Sequence, residues 1–290
     1  MTGDADASLT TAQLAQRTGV PAGTLRMWEA RHQFPVPVRH PGGHHRYTER
    51  DVESVQEVVR LRQEGLTMTA AIMRALAAAG EPPHSIFGAL RRQRPNLQPQ
   101  IVSKAALLQL TRAIEDEHCA RGGTGLLIGS FQRERHYRES ERRWRELART
   151  VAIAVAVADF ETLREPAGAP AEVPIARDHQ LAREWALIVN SAGAKACLAA
   201  WELPSPRKVP ELARRFEVTW SFEPSAVHDA TLAAAALLQG LAPSAAAQVS
   251  SRLGEPPAQS SPELRFAADL AGRAVAYLSA RPDASPSRLR

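Results

Sequence analysis

The chain has 290 residues, enough for one large or two ordinary domains, each with its own core. Hydrophobic residues make up 44% and charged residues 23%, an ordinary soluble balance, and the longest apolar run, 151–158, is far too short to span a bilayer. A net charge of +5, two unclustered cysteines and a first segment with neither basic nor apolar export signature argue against a membrane anchor or a disulfide framework, and make a cytoplasmic protein the expectation.

Thr10 or Thr11 can cap a first helix that runs to about Thr18 and buries Leu14 and Ala15. Gly19-Val20-Pro21 breaks it, and Pro21 suits the first turn of a second helix, where no N–H is needed. That helix puts Leu25 and Trp28 on one face and leaves Thr24, Arg26 and Arg31 to point elsewhere. Trp28 is expected in the core rather than stacked on a base. Two short helices around a glycine turn, with a cationic outer face, predict a helix-turn-helix.

Phe34-Pro-Val-Pro-Val-Arg39 cannot be a central strand, because alternate prolines remove ladder donors. Pro41-Gly-Gly-His-His-Arg-Tyr47 follows as a tight turn. Together they predict a wing, a ribbon laying Arg39, His44, Arg46 and Tyr47 along a phosphate backbone. Residues 17–50 hold six arginines against two glutamates, so most of the formal excess sits on this one surface. Thr48, with Asp51 three residues later, opens another helix in the manner of a capping box. Val52, Val55, Val58, Val59 and Leu61 then recur at helical spacing up to a stop at Gly65. A last helix over 67–79, with Met68, Ile72, Met73 and Leu76, completes this core, and Gly80-Glu-Pro-Pro83 marks the boundary.

With these motifs in place, residues 9–79 resemble the winged-helix domain of the MerR family of transcriptional regulators. The run LRMWEARHQFPVPVRHPGGHHRYTERDV is most similar to the branch that holds curli-type and cobalamin-dependent light-responsive regulators. The resemblance implies a DNA-binding set of Thr11, Arg17, Thr24, Arg26, Arg31, Arg39, His44, Arg46 and Tyr47, with Arg26, Arg46 and Tyr47 as the best phosphate contacts. Ala22 and Gly23 stand where many relatives carry longer polar side chains. Base readout by this helix is therefore thin, and part of the specificity falls to DNA deformation. The resemblance also implies double-stranded promoter DNA and RNA polymerase as partners. A homodimer on a two-fold site is expected because one short helix buries too little surface alone.

The DNA-binding domain is expected over 9–80, a second domain over 85–280, and a disordered tail over 281–290. In the second domain, helices are predicted near Ile86–Arg92 and from Ser103 to about His118. A buried strand follows at Gly125–Phe131, then a very polar helix over Glu134–Val151 anchored by Trp144 and Leu147. Val151–Phe160 reads as a strand buried on both faces, and Val173-Pro-Ile175 as a weak edge piece. Trp185–Val189 and Ala196–Trp201 form a hairpin around Ser191-Ala-Gly-Ala, and Phe216–Phe222 alternates as a further strand. Ala226–Leu241 and Pro262–Leu278 are Ala-rich helices, with a linker-like connection over Pro243–Ser261.

The later strands have no crossover helices, so the expected fold is α+β: a mostly helical winged helix-turn-helix plus an α+β sensor-like domain with a largely antiparallel sheet. The runs SIFGALRRQRPNLQPQIVSKAALLQLTRAIEDE, GSFQRERHYRESERRWRELARTV and REWALIVN are similar to the DICT sensory domain, which implies input sensing of an unknown effector.

Arg133, Arg135, Tyr137 and Arg138 follow directly on a buried strand and are the candidates for holding an anionic ligand. The competing and preferred account is a solvated helix face laced with pairs such as Glu134–Arg138 and Glu141–Arg145. No metal site is expected, since Cys119 and Cys197 are far apart and only His118-Cys119 are adjacent. No cofactor is identified: the nearest approach to a cobalamin DxHxxG run, over 116–122, has its glycine one place late and precedes a strand. Gly122-Gly-Thr-Gly125 lacks the GxGxxG spacing, no GxSxG, HExxH or P-loop is present, and the chain is expected not to be an enzyme. The alternative to a DNA-binding regulator is a ligand- or protein-binding signalling module in which DNA binding is secondary.

Overall fold

The computed structural model describes residues 8–32, 34–39, 45–66, 68, 71, 72, 75, 85–121, 123–177, 179–203, 209–255, 257 and 260–280. The chain divides into two compact units, 1–82 and 83–290.

In the first unit, α1 (Thr11–Thr18) starts at Thr10, whose side chain and that of Gln13 form a reciprocal capping box. It stops because Gly19 adopts a left-handed conformation (φ 72°) and returns its N–H to the Ala15 carbonyl. The Pro21 carbonyl then accepts from Thr24 and Leu25 to begin α2 (Ala22–His32). Two-residue strands β1 (Val38–Arg39) and β2 (His45–Arg46) pair antiparallel. Tyr47 exchanges both backbone hydrogen bonds with Leu9, which ties the ribbon to the start of α1. A second capping box, Thr48 with Asp51, opens α3 (Glu49–Gln63).

Leu14, Leu25, Phe34, Tyr47, Val55, Val58 and Leu61 close one core, and Trp28 packs against it with its ring stacked on Phe34. The expected helix over 67–79 lies mostly outside the described residues, as do its Met73 and Leu76 and the Gly80–Pro83 boundary. Ala71, Ile72 and Ala75 are buried in the same core.

The second unit is a seven-stranded sheet with helices on both faces. In chain order it contains α4 (Ile86–Gln93), β3 (Gln100–Ser103), α5 (Lys104–Arg121), β4 (Gly125–Ser130), α6 (Glu134–Ala148), β5 (Ile153–Ala158) and β6 (Ala171–Pro174). Then come β7 (Glu184–Ser191), β8 (Lys195–Glu202), β9 (Arg215–Ser221), α7 (Pro224–Leu241), α8 (Pro243–Ser251) and α9 (Pro262–Ala280). The sheet order is β3-β9-β8-β7-β4-β5-β6. It is mostly antiparallel, as expected; β4–β5 and β5–β6 are the parallel joins, and α6 is the crossover that permits the first of them.

One face is covered by α4, α7 and α8 through Phe87, Leu90, Val227, Ala230, Leu238 and Val249. The other is covered by α5 and α6 through Leu107, Ile114, Tyr137, Trp144 and Leu147. Two expectations fail. No element is predicted over 93–102, yet 100–103 is an edge strand, β3, paired with β9. Pro243–Ser261 is not all linker, because Pro243 at the first helical position starts α8, which buries Ala245, Ala246 and Val249. The tail 281–290 lies outside the described residues.

Candidate functional sites

In the first unit, burial of Leu25 turns the remainder of α2 outward: Arg26 and Arg31 are exposed and Thr24 is half-buried. Arg17, at the end of α1, is also exposed, but its guanidinium pairs with Glu49 at the start of α3, so part of its charge is already answered. Arg46 is half-buried on the ribbon, with its Nη1 donating to the His45 carbonyl at 3.4 Å. His45 itself lies 3.3 Å from Glu29 of α2. Of Arg39 only the backbone is described, and His44 lies outside the described residues.

Tyr47 corrects the expected phosphate set. It is 1% exposed, and burial pushes its phenol up to about 12, with the Thr11 and Glu29 side chains as its polar neighbours. It fixes the base of the ribbon from inside, and Thr11 is engaged in the same contact.

The four residues proposed to hold an anion in the second unit are not brought together. Arg133 pairs with Asp159, 3.3 Å away. The same Asp159 carboxylate accepts from the Glu134 N–H at 2.6 Å and so already occupies the N-terminus of α6. Arg138 reaches Glu172 at 2.6 Å, Glu134 at 2.8 Å and Glu141 at 3.2 Å, so its charge is already answered within the chain. Tyr137 is buried among Phe131 and Phe160, ring edge to face. The laced-helix account holds for this face, including Glu141–Arg145 at 2.7 Å. Of the four, Arg135 lines a cavity.

That cavity is a cleft of about 500 Å³ between α5 and α6 over the sheet. Its apolar walls are Leu108, Phe131, Trp185 and Leu212. The polar lining comes from Lys104, Thr111, Arg112 and Glu115 of α5, from Arg135, His136, Glu139, Ser140 and Arg143 of α6, and from Glu211.

Lys104 is 5% exposed and bonds Glu211 at 2.5 Å, which holds the Glu211 carboxyl down at about 2. Arg143 bonds Glu115 at 2.5 Å and Asp116 at 2.6 Å, and the Trp144 indole N–H donates to Glu115 at 3.0 Å. Burial nevertheless raises the Glu115 pKa, the desolvation outweighing its partners. His136 sets Nδ1 3.1 Å from the Phe131 carbonyl, which makes Nδ1 the donor and leaves Nε2 to accept from Arg135 at 3.3 Å. Burial and then the Lys104 charge lower its pKa, so the ring is neutral at pH 7.

Gln132, next to Phe131 and 2% exposed, has φ 62°, which a non-glycine residue rarely adopts. Sequence reasoning missed Lys104, Thr111, Arg112, Arg143 and Trp185 because three separate elements supply them and no local spacing joins them.

The cysteines form no centre: Cys119 is exposed on α5, Cys197 is buried in β8, and His118 points into the interior. Among the described residues no group of three or more His, Cys, Asp or Glu side chains is placed to hold a metal ion. No helix among them is long and apolar enough to cross a membrane.

Two helices about a left-handed glycine, an arginine-bearing outer face and a short ribbon define a helix-turn-helix domain of the DNA-binding kind. Residues 9–78 match the MerR HTH family regulatory protein, and residues 84–203 match DICT, the sensory domain in diguanylate cyclases and two-component system. The chain thus carries a MerR-type helix-turn-helix domain followed by a DICT domain. It is similar to the HTH-type transcriptional repressor CarA of Myxococcus xanthus, 33% identical over 108 residues that make up 36% of this chain. The match spans about a third of that relative's length, 35%.

Proposed function

We propose that the chain is a DNA-binding transcriptional regulator of the MerR type, binding a two-fold promoter site as a homodimer and controlled by a signal taken up by its DICT domain. The observation that carries this reading is the outer face of α2, where Arg26 and Arg31 stay exposed while Leu25 locks the helix to its core. In this reading Arg26, Arg31, Arg17 and Thr24, with Arg39, His44 and Arg46 on the wing, meet the phosphate backbone and groove edges. The side chains on α2 that reach outward suit phosphate better than base edges. Specificity then rests in part on deforming the DNA, and a distorted promoter presented to RNA polymerase is the mechanism that fits. The repressor name of the similar Myxococcus protein supports a regulatory role without fixing its sign.

The test is a footprint of the full-length protein on DNA upstream of its own gene. A protected inverted repeat with hypersensitive bases at its centre supports a dimer that bends or untwists its site. Absence of protection at low salt overturns DNA binding by the free chain.

A further inference from the structure

The cleft between α5 and α6 is a built cavity whose chemistry the DNA-binding role does not use. Its charges sort into two groups. Lys104 shares Glu211 with Arg214, and Arg143 is held by both Glu115 and Asp116. Among the described residues, Arg112, Arg135 and Glu139 line the cleft and make no ion pair within 4 Å. The lining as a whole sets Lys104, Arg112, Arg135 and Arg143 against Glu115, Glu139 and Glu211, a surplus of one positive charge. That surplus suits a monoanion. A polyphosphate would instead face Glu115, Glu139 and Glu211 together, and a cation would meet two free arginines.

The rest of the wall asks for a flat apolar body. Phe131 and Trp185 present rings, and Leu108 and Leu212 close the sides. Phe131 is held edge-on by Trp144 at 4.8 Å and Tyr137 at 5.2 Å, so its face is pre-set rather than mobile. Thr111 is only 8% exposed, and its hydroxyl has no hydrogen-bond partner among the described residues although it lies in the wall. That hydroxyl is itself closed off from the cleft, so the polar contacts to a ligand fall to Arg112 and Arg135. A volume of about 500 Å³ has room for one or two fused rings.

We propose that this cleft binds a small aromatic monocarboxylate, its ring against Phe131 and Trp185 and its carboxylate on Arg112 and Arg135. The ligand's role as the regulatory signal rests on the proposed function above; its binding does not.

The experiment titrates the full-length protein with salicylate, 1-naphthoate and indole-3-carboxylate, each beside its neutral amide, following tryptophan fluorescence and heat. At least one acid should saturate at one per chain, with its amide bound at least tenfold more weakly. Arg112→Gln and Arg135→Gln should each weaken that acid at least tenfold, and Glu139→Gln should leave it equal or tighter. Arg142→Gln, an exposed change on α6 whose partner is Glu146, should not alter it. The proposal is overturned if none of the three acids saturates, if the amides bind equally well, or if both cleft arginines can be changed without effect. An acid that binds while the footprint is absent removes the DNA reading alone; a clean footprint with no acid bound removes the cleft proposal alone.

Discussion

Glu184 is fully buried at the first residue of β7, where one carboxyl oxygen accepts from the Phe87 N–H at 3.0 Å and the other has no partner among the described residues. The start of α4 offers N–H groups that would favour the ionised form, but loss of water outweighs them and pushes the carboxyl up to about 8. The group is therefore protonated in the folded chain and ionised in the unfolded one between roughly pH 4.5 and 8, so folding takes up a proton there. Its contribution to stability is full below that window and is lost as pH rises through it, at most about 1.4 kcal/mol per pH unit. Urea midpoints at pH 5.5 and 7.5 should fall for the parent chain and fall less for Glu184→Gln; parallel behaviour would show that the carboxyl ionises at no cost. Arg26 makes the opposite kind of prediction, being exposed and committed to no ion pair among the described residues. If it meets phosphate, Arg26→Ala should weaken all DNA sequences alike and lower the slope of log affinity against log salt by about one. Arg17→Ala should change the slope less, because Glu49 already competes for that guanidinium. An unchanged slope for Arg26→Ala removes it from the interface. Residue types at these positions were legible in the sequence, but burial was not: nothing local distinguishes Arg46, at the surface, from Tyr47, whose side chain turns into the core.

At the scale of elements, periodicity carried most of the fold. β5 is a continuous Ile153–Ala158 apolar run and could be little else than a strand covered on both faces. β3 was invisible for the matching reason: of Gln100-Ile-Val-Ser103 only Val102 is deeply buried, while Ile101 is exposed, so no alternation survives at the sheet edge. α8 was hidden by prolines and serines at both ends, signs that read as a linker although Pro243 is a helix start. The docking of α6 on the sheet was also not legible, since it depends on a missing side chain. A Cβ on Gly129 of β4 would lie 2.4 Å from Cη2 and 2.8 Å from Cζ2 of Trp144. Trp144 cannot easily retreat, because its N–H is held by Glu115 and its ring by Phe131. Gly129→Ala should therefore destabilise the second unit by about 1–3 kcal/mol through overpacking, measured by urea unfolding. A neutral result would mean that α6 can slide on the sheet.

At the scale of the whole chain, the recognised domain and the folded unit do not end together. The DICT match stops at 203, whereas β9, over Arg215–Ser221, lies between β3 and β8 and bonds to both. A chain ending at 203 would leave β3 with no partner and turn the long apolar strand β8 into a sheet edge. It would also strip α7 and α8 from one face, uncovering Leu90, Ile128, Val155 and Ile188, which are buried against Ala230, Leu238 and Val249. α9 is a different matter. It leans on the unit through Gly272, 3.8 Å from the Trp220 ring for an added Cβ, and Val275, while Phe266 and Tyr277 are 69% and 72% exposed. Buried apolar surface decides the outcome: removing two covering helices and an interior strand costs far more than a domain's net stability of about 5–15 kcal/mol, and removing α9 does not. A 1–203 chain should therefore aggregate or show no cooperative unfolding of its second unit, while a 1–255 chain should keep a cooperative transition at a lower midpoint. Circular dichroism melts of both chains check this. A native-like transition in the 1–203 chain would show that the sheet can close without β9 and that the matched region is the true folding unit.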